Sequence, residues 1–328
     1  MSKKWFVLAS MGAAVLLASA LAGTAAGRSA QKQRTTAKIT LGFSQVGSES
    51  GWRTANTKSI QSSAKAAGIT LKFSDAQQKQ ENQIQAIRSY IQQHVDVIAF
   101  SPVVASGWDA VLQEAKRAKI PVVLTDRAVD SKDPTLYKTF LGSDFIREGR
   151  YAGKWVADQY KGATKPVRIV ELQGTTGSSP AIDRAKGFRQ MIKGNKNLKI
   201  IASQTGEFTR AKGKEVMAAF LKANPNIDLL FAHNDDMGLG AIEAIEEAGL
   251  KPGKDIKIVT IDAVHDGMVA LSQGKINFIA ECSPLLGPQL MQLVKQVVAG
   301  KTLPKRIVTK ETTFNQAQAK VALPSRKY

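Results

Sequence analysis

The chain has 328 residues, 43% of them hydrophobic and 22% charged, enough apolar material for two ordinary domains with cores and too much for a disordered chain. Three histidines and the single cysteine, Cys282, exclude an internal disulfide framework and a multi-cysteine zinc site. The formal net charge of +19 brings nucleic acid and anionic surfaces into consideration. The cations are spread over residues 28–38, 186–199, 301–310 and 326–327, however, with no aromatic-interleaved patch or helix-turn-helix. No nucleic-acid partner is expected, and the charge is read as surface adaptation with loose attraction to anionic envelope components as a weaker alternative.

The first residues read as an export signal. Lys3 and Lys4 give a positive start, residues 5–21 an apolar run, and Ala20, Leu21 and Ala22 an A-x-A cleavage site, with residues 24–26 as a second candidate. The competing reading is an uncleaved membrane anchor, which the many small residues disfavour. No cysteine follows the run, so a lipid anchor is not expected. Residues 1–22 are therefore assigned to a signal peptide and 23–37 to a polar, basic lead-in.

From residue 38 a rhythm begins. Apolar runs at 39–43, 69–73, 95–100 and 120–125 alternate with helical patterns at 52–67, 81–93 and 106–118. Strands separated by single helices mean a parallel sheet with right-handed crossovers. Residues 137–143 read as a link, and then the rhythm repeats. Strands are expected at 167–172, 200–203, 227–232 and 256–261, and helices at 181–192, 210–223 and 238–248, without close sequence similarity between the halves. A further helix at 287–298 and a strand at 307–309 follow, whose placement the pattern leaves open. The fold class expected is α/β, two similar doubly wound parallel-sheet domains facing one another, and a cleft between such domains is a preferred ligand site.

Candidate site residues cluster where strands end. ITLGFSQVGSESGWR, residues 39–53, runs from a strand into a Gly- and Ser-rich turn and a helix start. There Glu49 offers an acceptor, Trp52 a flat apolar face and Arg53 a planar five-donor fork, a set that suits a small polyol. An ordinary βα loop with a capping serine and a solvated arginine is the competing reading. Asp126 and Arg127 end the fourth strand as LTDRAVD, an adjacent acid and base that can each hold vicinal hydroxyls, or else form a local salt bridge. GTTGSSPAIDRAKGF opens a helix as a phosphate loop does, but lacks G-x-x-x-x-G-K-[ST]. In FAHNDDMGLG, His233, Asp235 and Asp236 cannot all converge on a metal, and no metal site is expected. Asn234 is the candidate there, as a bidentate amide, with Asp235 read as a helix cap. Asp262 ends IKIVTID pointing to the cleft. Asp126 with Glu281 could be read as a glycosidase pair, but there is no Gly-x-Ser-x-Gly elbow and no histidine set with a serine and an acid. No enzymatic activity and no cofactor are expected.

These motifs, together with DAQQKQENQIQAIRSY, SPVVASGWDAVLQEAK, VELQGTTGSSPAIDRAKGF, GEFTRAKGKEVM, AHNDDM and AGLKPGKDI, resemble the periplasmic sugar-binding proteins of ABC transporters, in the ribose- and galactose-binding group. The similarity covers nearly the whole chain after Lys38. It implies a type I periplasmic binding fold whose chain crosses between domains near Leu141, Cys282 and Lys305. Residues 38–140 with about 283–305 would form one domain and 141–282 with about 306–328 the other, hinged about the three segments. It also implies Arg184 as a sugar contact that Asp183 could orient, Phe208 as an aromatic of the cleft, with a core phenylalanine as the competing reading, and Glu281 as a planar polar group on the ligand where relatives often carry an amide. The function implied is an exported, periplasmic monomer that delivers a monosaccharide to an inner-membrane ABC permease, with galactofuranose first and another pentose or hexose second. A ligand carrier for a chemoreceptor or sensor kinase shares that chemistry. A transcription regulator of the same fold would need a DNA-binding headpiece.

Overall fold

Alternating strands and helices, as the apolar rhythm requires, make up residues 38–328, which the computed structural model describes. The expected signal peptide and lead-in lie outside the described residues. In the first half the strands are β1 (Thr40–Gln45), β2 (Thr70–Asp75), β3 (Val97–Phe100), β4 (Val122–Thr125) and β5 (Thr139–Gly142). In the second half they are β6 (Val167–Gln173), β7 (Leu198–Thr205), β8 (Leu229–Ala232), β9 (Lys257–Asp262) and β10 (Phe278–Glu281), and the tail adds β11 (Arg306–Val308) and β12 (Thr313–Phe314). The helices are α1 (Gly51–Ala66), α2 (Gln80–Gln92), α3 (Asp109–Arg117), α4 (Phe145–Gln159), α5 (Ser179–Ile192), α6 (Arg210–Ala223), α7 (Asp235–Glu247), α8 (His265–Ser272), α9 (Gly287–Val298) and α10 (Gln316–Ala322).

Two six-stranded sheets result, in the spatial orders β11-β5-β4-β3-β1-β2 and β12-β10-β9-β8-β6-β7. All pairings are parallel except the short β10–β12 contact. Both orders reverse direction between the first and third strands of their lobe, the doubly wound topology that leaves a crevice at the strands' carboxyl ends. β3 (VIAF), β4 (VVLT) and β8 (LLFA) are buried at every residue, as strands covered by helices on both faces must be. Leu41, Phe43, Val97 and Leu290 fill one side of the first sheet, and Ile98, Phe100, Trp108 and Leu124 the other.

The expected parallel-sheet pair is present, and three local expectations change. Residues 137–143 are not a plain link, because β5 completes the first sheet there and the chain leaves the lobe only after Gly142. α4, α8 and β10 carry no counterpart in the expected elements. The strand expected at 307–309 pairs in parallel with β5 in the first sheet, so the third crossing falls between Val308 and Thr313 rather than near Lys305. The second crossing follows β10, after which α9 returns to the first lobe. There it packs on α1, with the Gly287 amide donating to Ser59 Oγ at 3.1 Å.

Candidate functional site

Facing carboxyl ends of the two sheets frame a narrow cavity walled by Glu49, Trp52, Arg53, Asp126, Arg127, Arg184, Phe208, Asn234 and Asp262, together with Ser50, Phe145, Pro180 and Cys282. Nine of the ten expected site residues are therefore brought together. Ser50 caps α1, its hydroxyl accepting from the Arg53 amide at 3.1 Å, and this turn aims Trp52 and Arg53 inward from one helix end. Trp52 is buried against Phe145 and Cys282 of the second lobe, and its Nε1 donates to the Cys282 carbonyl at 2.7 Å.

Three guanidinium groups and their acids organise the polar wall. Arg53 Nε meets Glu49 Oε1 at 3.0 Å and its Nη1 meets Asp126 Oδ2 at 2.8 Å. Burial opposes the Arg53 charge, but these two carboxylates outweigh it and hold its pKa above the ordinary value. Arg127 is less well compensated, since its nearest acid oxygens lie 3.6 Å away on Glu49 and 3.9 Å away on Asp126. Burial, and then the Arg53 charge, push it down to about 10. Arg127 Nε and Glu49 Oε2 are buried without a partner. A free donor and a free acceptor on one wall are what a hydroxyl, which both donates and accepts, satisfies at once.

In the second lobe Arg184 donates from Nε to Glu148 Oε2 at 2.8 Å and from Nη1 to the His233 carbonyl at 2.6 Å, and its Nη2 lies 3.5 Å from Asp262. The expected orienting partner was Asp183, which sits half-buried outside the cavity. A side chain next to Arg184 on a helix faces away from it, so an acid on a neighbouring helix does the work. Glu148 gets there because α4 and α5 touch backbone to backbone, a Cβ at Gly149 lying 2.2 Å from the Arg184 carbonyl. Phe208 stands between two cations, its ring 5.2 Å from the Arg127 guanidinium and 5.9 Å from that of Arg184. Asp126 (φ 61°), Phe208 (φ 63°) and Asp262 (φ 126°) all take left-handed backbone, a cost retained where side chains are aimed at a site.

The helix cap expected at Asp235 falls instead to Asn234. Asn234 caps α7, accepting from the Met237 amide at 3.0 Å, while its Nδ2 holds the Phe208 carbonyl at 3.0 Å. It faces the cavity with part of its hydrogen-bonding capacity already committed. Asp235, expected as the cap, instead accepts from Thr260 Oγ1 and the Val264 amide. His233 is buried against Glu171 at 3.1 Å, away from any metal geometry with Asp235 and Asp236. Asp236 accepts from the Gly51 amide of the opposite lobe at 2.8 Å.

Glu281 is the expected residue that the cavity excludes. Its carboxylate accepts from Arg326 Nη1 at 2.8 Å, Tyr328 Oη at 3.0 Å and the Thr312 amide at 3.1 Å. The C-terminal tail claims it, and Cys282 takes the place on the wall. This also separates the Asp126–Glu281 pair on which a glycosidase reading rested. Missed altogether were Phe145 and Glu148, at the start of a helix absent from the expected elements. The acid three residues after Phe145 in SDFIREG was their one available signal. Among the described residues, Glu148, Cys282 and Glu311 place two carboxylate oxygens and the thiol sulfur within 4.8 Å of one another. Protein donors hold one oxygen of each carboxyl group, Glu148 Oε2 and Glu311 Oε1, and the other oxygen of each is buried without a partner.

Residues 41–302 match the periplasmic binding protein domain. The chain belongs to the periplasmic binding protein family. It is 52% identical over 295 residues to the galactofuranose-binding protein YtfQ of Escherichia coli, covering 89% of this chain and 92% of that one. A crystal structure from Mycobacterium smegmatis in complex with β-D-fucofuranose superposes with a TM-score of 0.87 at 68% identity, over 88% of this chain and 95% of that one. A second Mycobacterium smegmatis crystal structure, 65% identical over 89% and 95% of the two chains, reaches only 0.68. The two parallel-sheet lobes described above are thus those of a periplasmic sugar-binding protein of the ribose-binding group.

Proposed function

We propose that this protein is an exported solute-binding protein that closes around a furanose sugar of galacto configuration, galactofuranose first, and presents the closed form to an inner-membrane ABC permease. The observation that carries this reading is the cavity itself. Unpaired Glu49 Oε2 and Arg127 Nε, three forked guanidinium groups and the faces of Trp52 and Phe208 converge between two lobes, as a small ring with hydroxyl edges and C–H faces requires. Glu49, Trp52, Arg53, Asp126, Arg127, Arg184, Phe208, Asn234 and Asp262 are the proposed contacts. Support for the ring form comes from the relatives, one named for galactofuranose and one bound to fucofuranose, which is galactofuranose lacking its 6-hydroxyl.

Binding rather than catalysis follows from the charges. Arg53 holds Glu49 Oε1 and Asp126 Oδ2 as ion-paired carboxylates, which leaves neither residue as the protonated general acid that glycoside cleavage needs. Hinge closure is supported by bonds between the lobes, the Gly51 amide to Asp236 at 2.8 Å and the Ala128 amide to Ser179 Oγ at 3.0 Å.

Calorimetry with galactose, fucose, arabinose, ribose and glucose, and carbon NMR of the bound labelled sugar to read its ring form, tests the proposal. Galactose or fucose bound as the furanose is expected. Tightest binding of a pyranose, or recovery of a cleaved glycoside after long incubation, would overturn it.

A further inference from the structure

All three chain crossings meet on one carboxylate. Glu311, on the third crossing, accepts through Oε1 from Ser143 Oγ of the first crossing, from the Ser283 amide of the second at 3.2 Å and from Thr309 Oγ1 of the third at 2.8 Å. Its other oxygen, Oε2, is buried and has no partner. Glu148 repeats the pattern, with Oε2 on Arg184 Nε at 2.8 Å and Oε1 buried without a partner. Oxygens of these two carboxyl groups and Cys282 Sγ lie within 4.8 Å of one another, and Cys282 Sγ is 3.3 Å from Ser143 Oγ.

The surrounding charges do not balance as two carboxylates. Arg184 from α5 is the cation in contact with Glu148, and Asp262 at the end of β9 also draws on it at 3.5 Å. On the other side Arg306 faces Glu311, but shares its charge with Asp144 and is opposed by Arg147. Cys282 is a buried thiol held well above its usual range by burial and by the two acids. Two acids this close in a dry site do not both ionise, and each unpartnered oxygen is a place where a proton completes a hydrogen bond. We propose that closing the hinge takes up a proton at the Glu148–Glu311 pair, which makes Glu311 a positioning residue that couples sugar affinity to pH.

This rests on the reading of the cleft as a sugar site that shuts by hinge motion. Opening rotates the three segments that converge on Glu311 and wets the cavity side of Arg184, so the pair ionises more easily in the open form. In the closed form burial pushes the Glu148 carboxyl up to about 8, and burial likewise raises Glu311. The sign follows: the closed form holds the extra proton below about pH 8, the open form releases it near the ordinary carboxylate range, and affinity falls as pH rises between the two. For one proton the fall is about tenfold per pH unit at most.

Calorimetry of galactose or fucose binding at pH 7.5, in phosphate and in Tris, counts the protons taken up, and a pH 6 to 8 series of dissociation constants gives the slope. Glu311→Gln keeps an acceptor for Ser143, Ser283 and Thr309 and puts an amide donor where the proton would sit. It is expected to abolish the uptake and to bind at pH 8 at least as tightly as the parent does at pH 6. Sugar binding without proton uptake in the parent chain would overturn this inference and leave the sugar site standing. Uptake that persists in Glu311→Gln would assign the proton to Asp262 or another acid, which equally overturns it. A flat titration with every furanose-forming sugar would sink the reading of the cleft along with it.

Discussion

At the scale of single residues, the cleft is made of charges that compensate one another until a ligand joins them. Removing Arg184 leaves Glu148 and Asp262 buried without their cation, and removing Arg127 takes away the wall's unpartnered charged donor, and either loss costs far more than one neutral hydrogen bond. Arg127→Ala and Arg184→Ala should each weaken sugar binding by about 2–5 kcal/mol, and calorimetry showing less than a threefold change would place them outside the ligand's reach. Trp52 combines two roles, since its ring lines the cavity and its Nε1 holds the Cys282 carbonyl of the second crossing. Trp52→Ala should weaken binding by about 1–3 kcal/mol, while Trp52→Phe, which keeps a ring and loses that hydrogen bond, should recover most of it. Equal losses in the two variants would show that the hydrogen bond, not the aromatic face, carries the effect. The place of the DR motif at a strand end was legible locally, whereas its role and the choice of Arg184 in AIDRAKGF came from the family resemblance. Glu281 was misplaced because its partner, Arg326, lies 45 positions away in sequence.

At the scale of elements, α4 decides whether Arg184 is aimed. Its N-terminal turn supplies Phe145 to the wall and Glu148 to the guanidinium, and both depend on the close approach of α4 to α5. Gly149→Ala puts a methyl group within 2.2 Å of the Arg184 carbonyl and must push the helices apart. The expected result is a stability loss of about 1–3 kcal/mol, read as a lower melting temperature, together with weaker sugar binding. Loss of stability with unchanged affinity would show that Glu148 is not needed to hold Arg184. The helix escaped sequence reading because the preceding TFLG is only four residues long, too short for periodicity to separate a strand from a link.

At the scale of the whole molecule, two lobes joined by three short segments can move only as a hinge. The described form is closed, with Asp236 on the Gly51 amide and Ser179 on the Ala128 amide. Small-angle scattering should therefore show a smaller radius of gyration with saturating sugar than without, at a mass consistent with a monomer. Identical profiles would remove hinge closure from the mechanism. The third crossing lies beyond Val308 because β11 pairs with β5, which places Thr309 and Glu311 at the hinge where the chain changes lobe.

The sequence by itself determined the architecture and most of the cleft. Apolar runs of strand length separated by helical periods admit few arrangements other than a doubly wound sheet, and polar residues at the carboxyl ends of such strands have a single crevice to face. Tertiary structure alone decided the partners. Which acid orients Arg184, whether Glu281 meets the ligand or the C-terminal tail, and that Ser143, Ser283 and Glu311 converge are matters of which helices and crossings touch. A charged side chain's partner is fixed by distance in space, and nothing in its local sequence carries that distance.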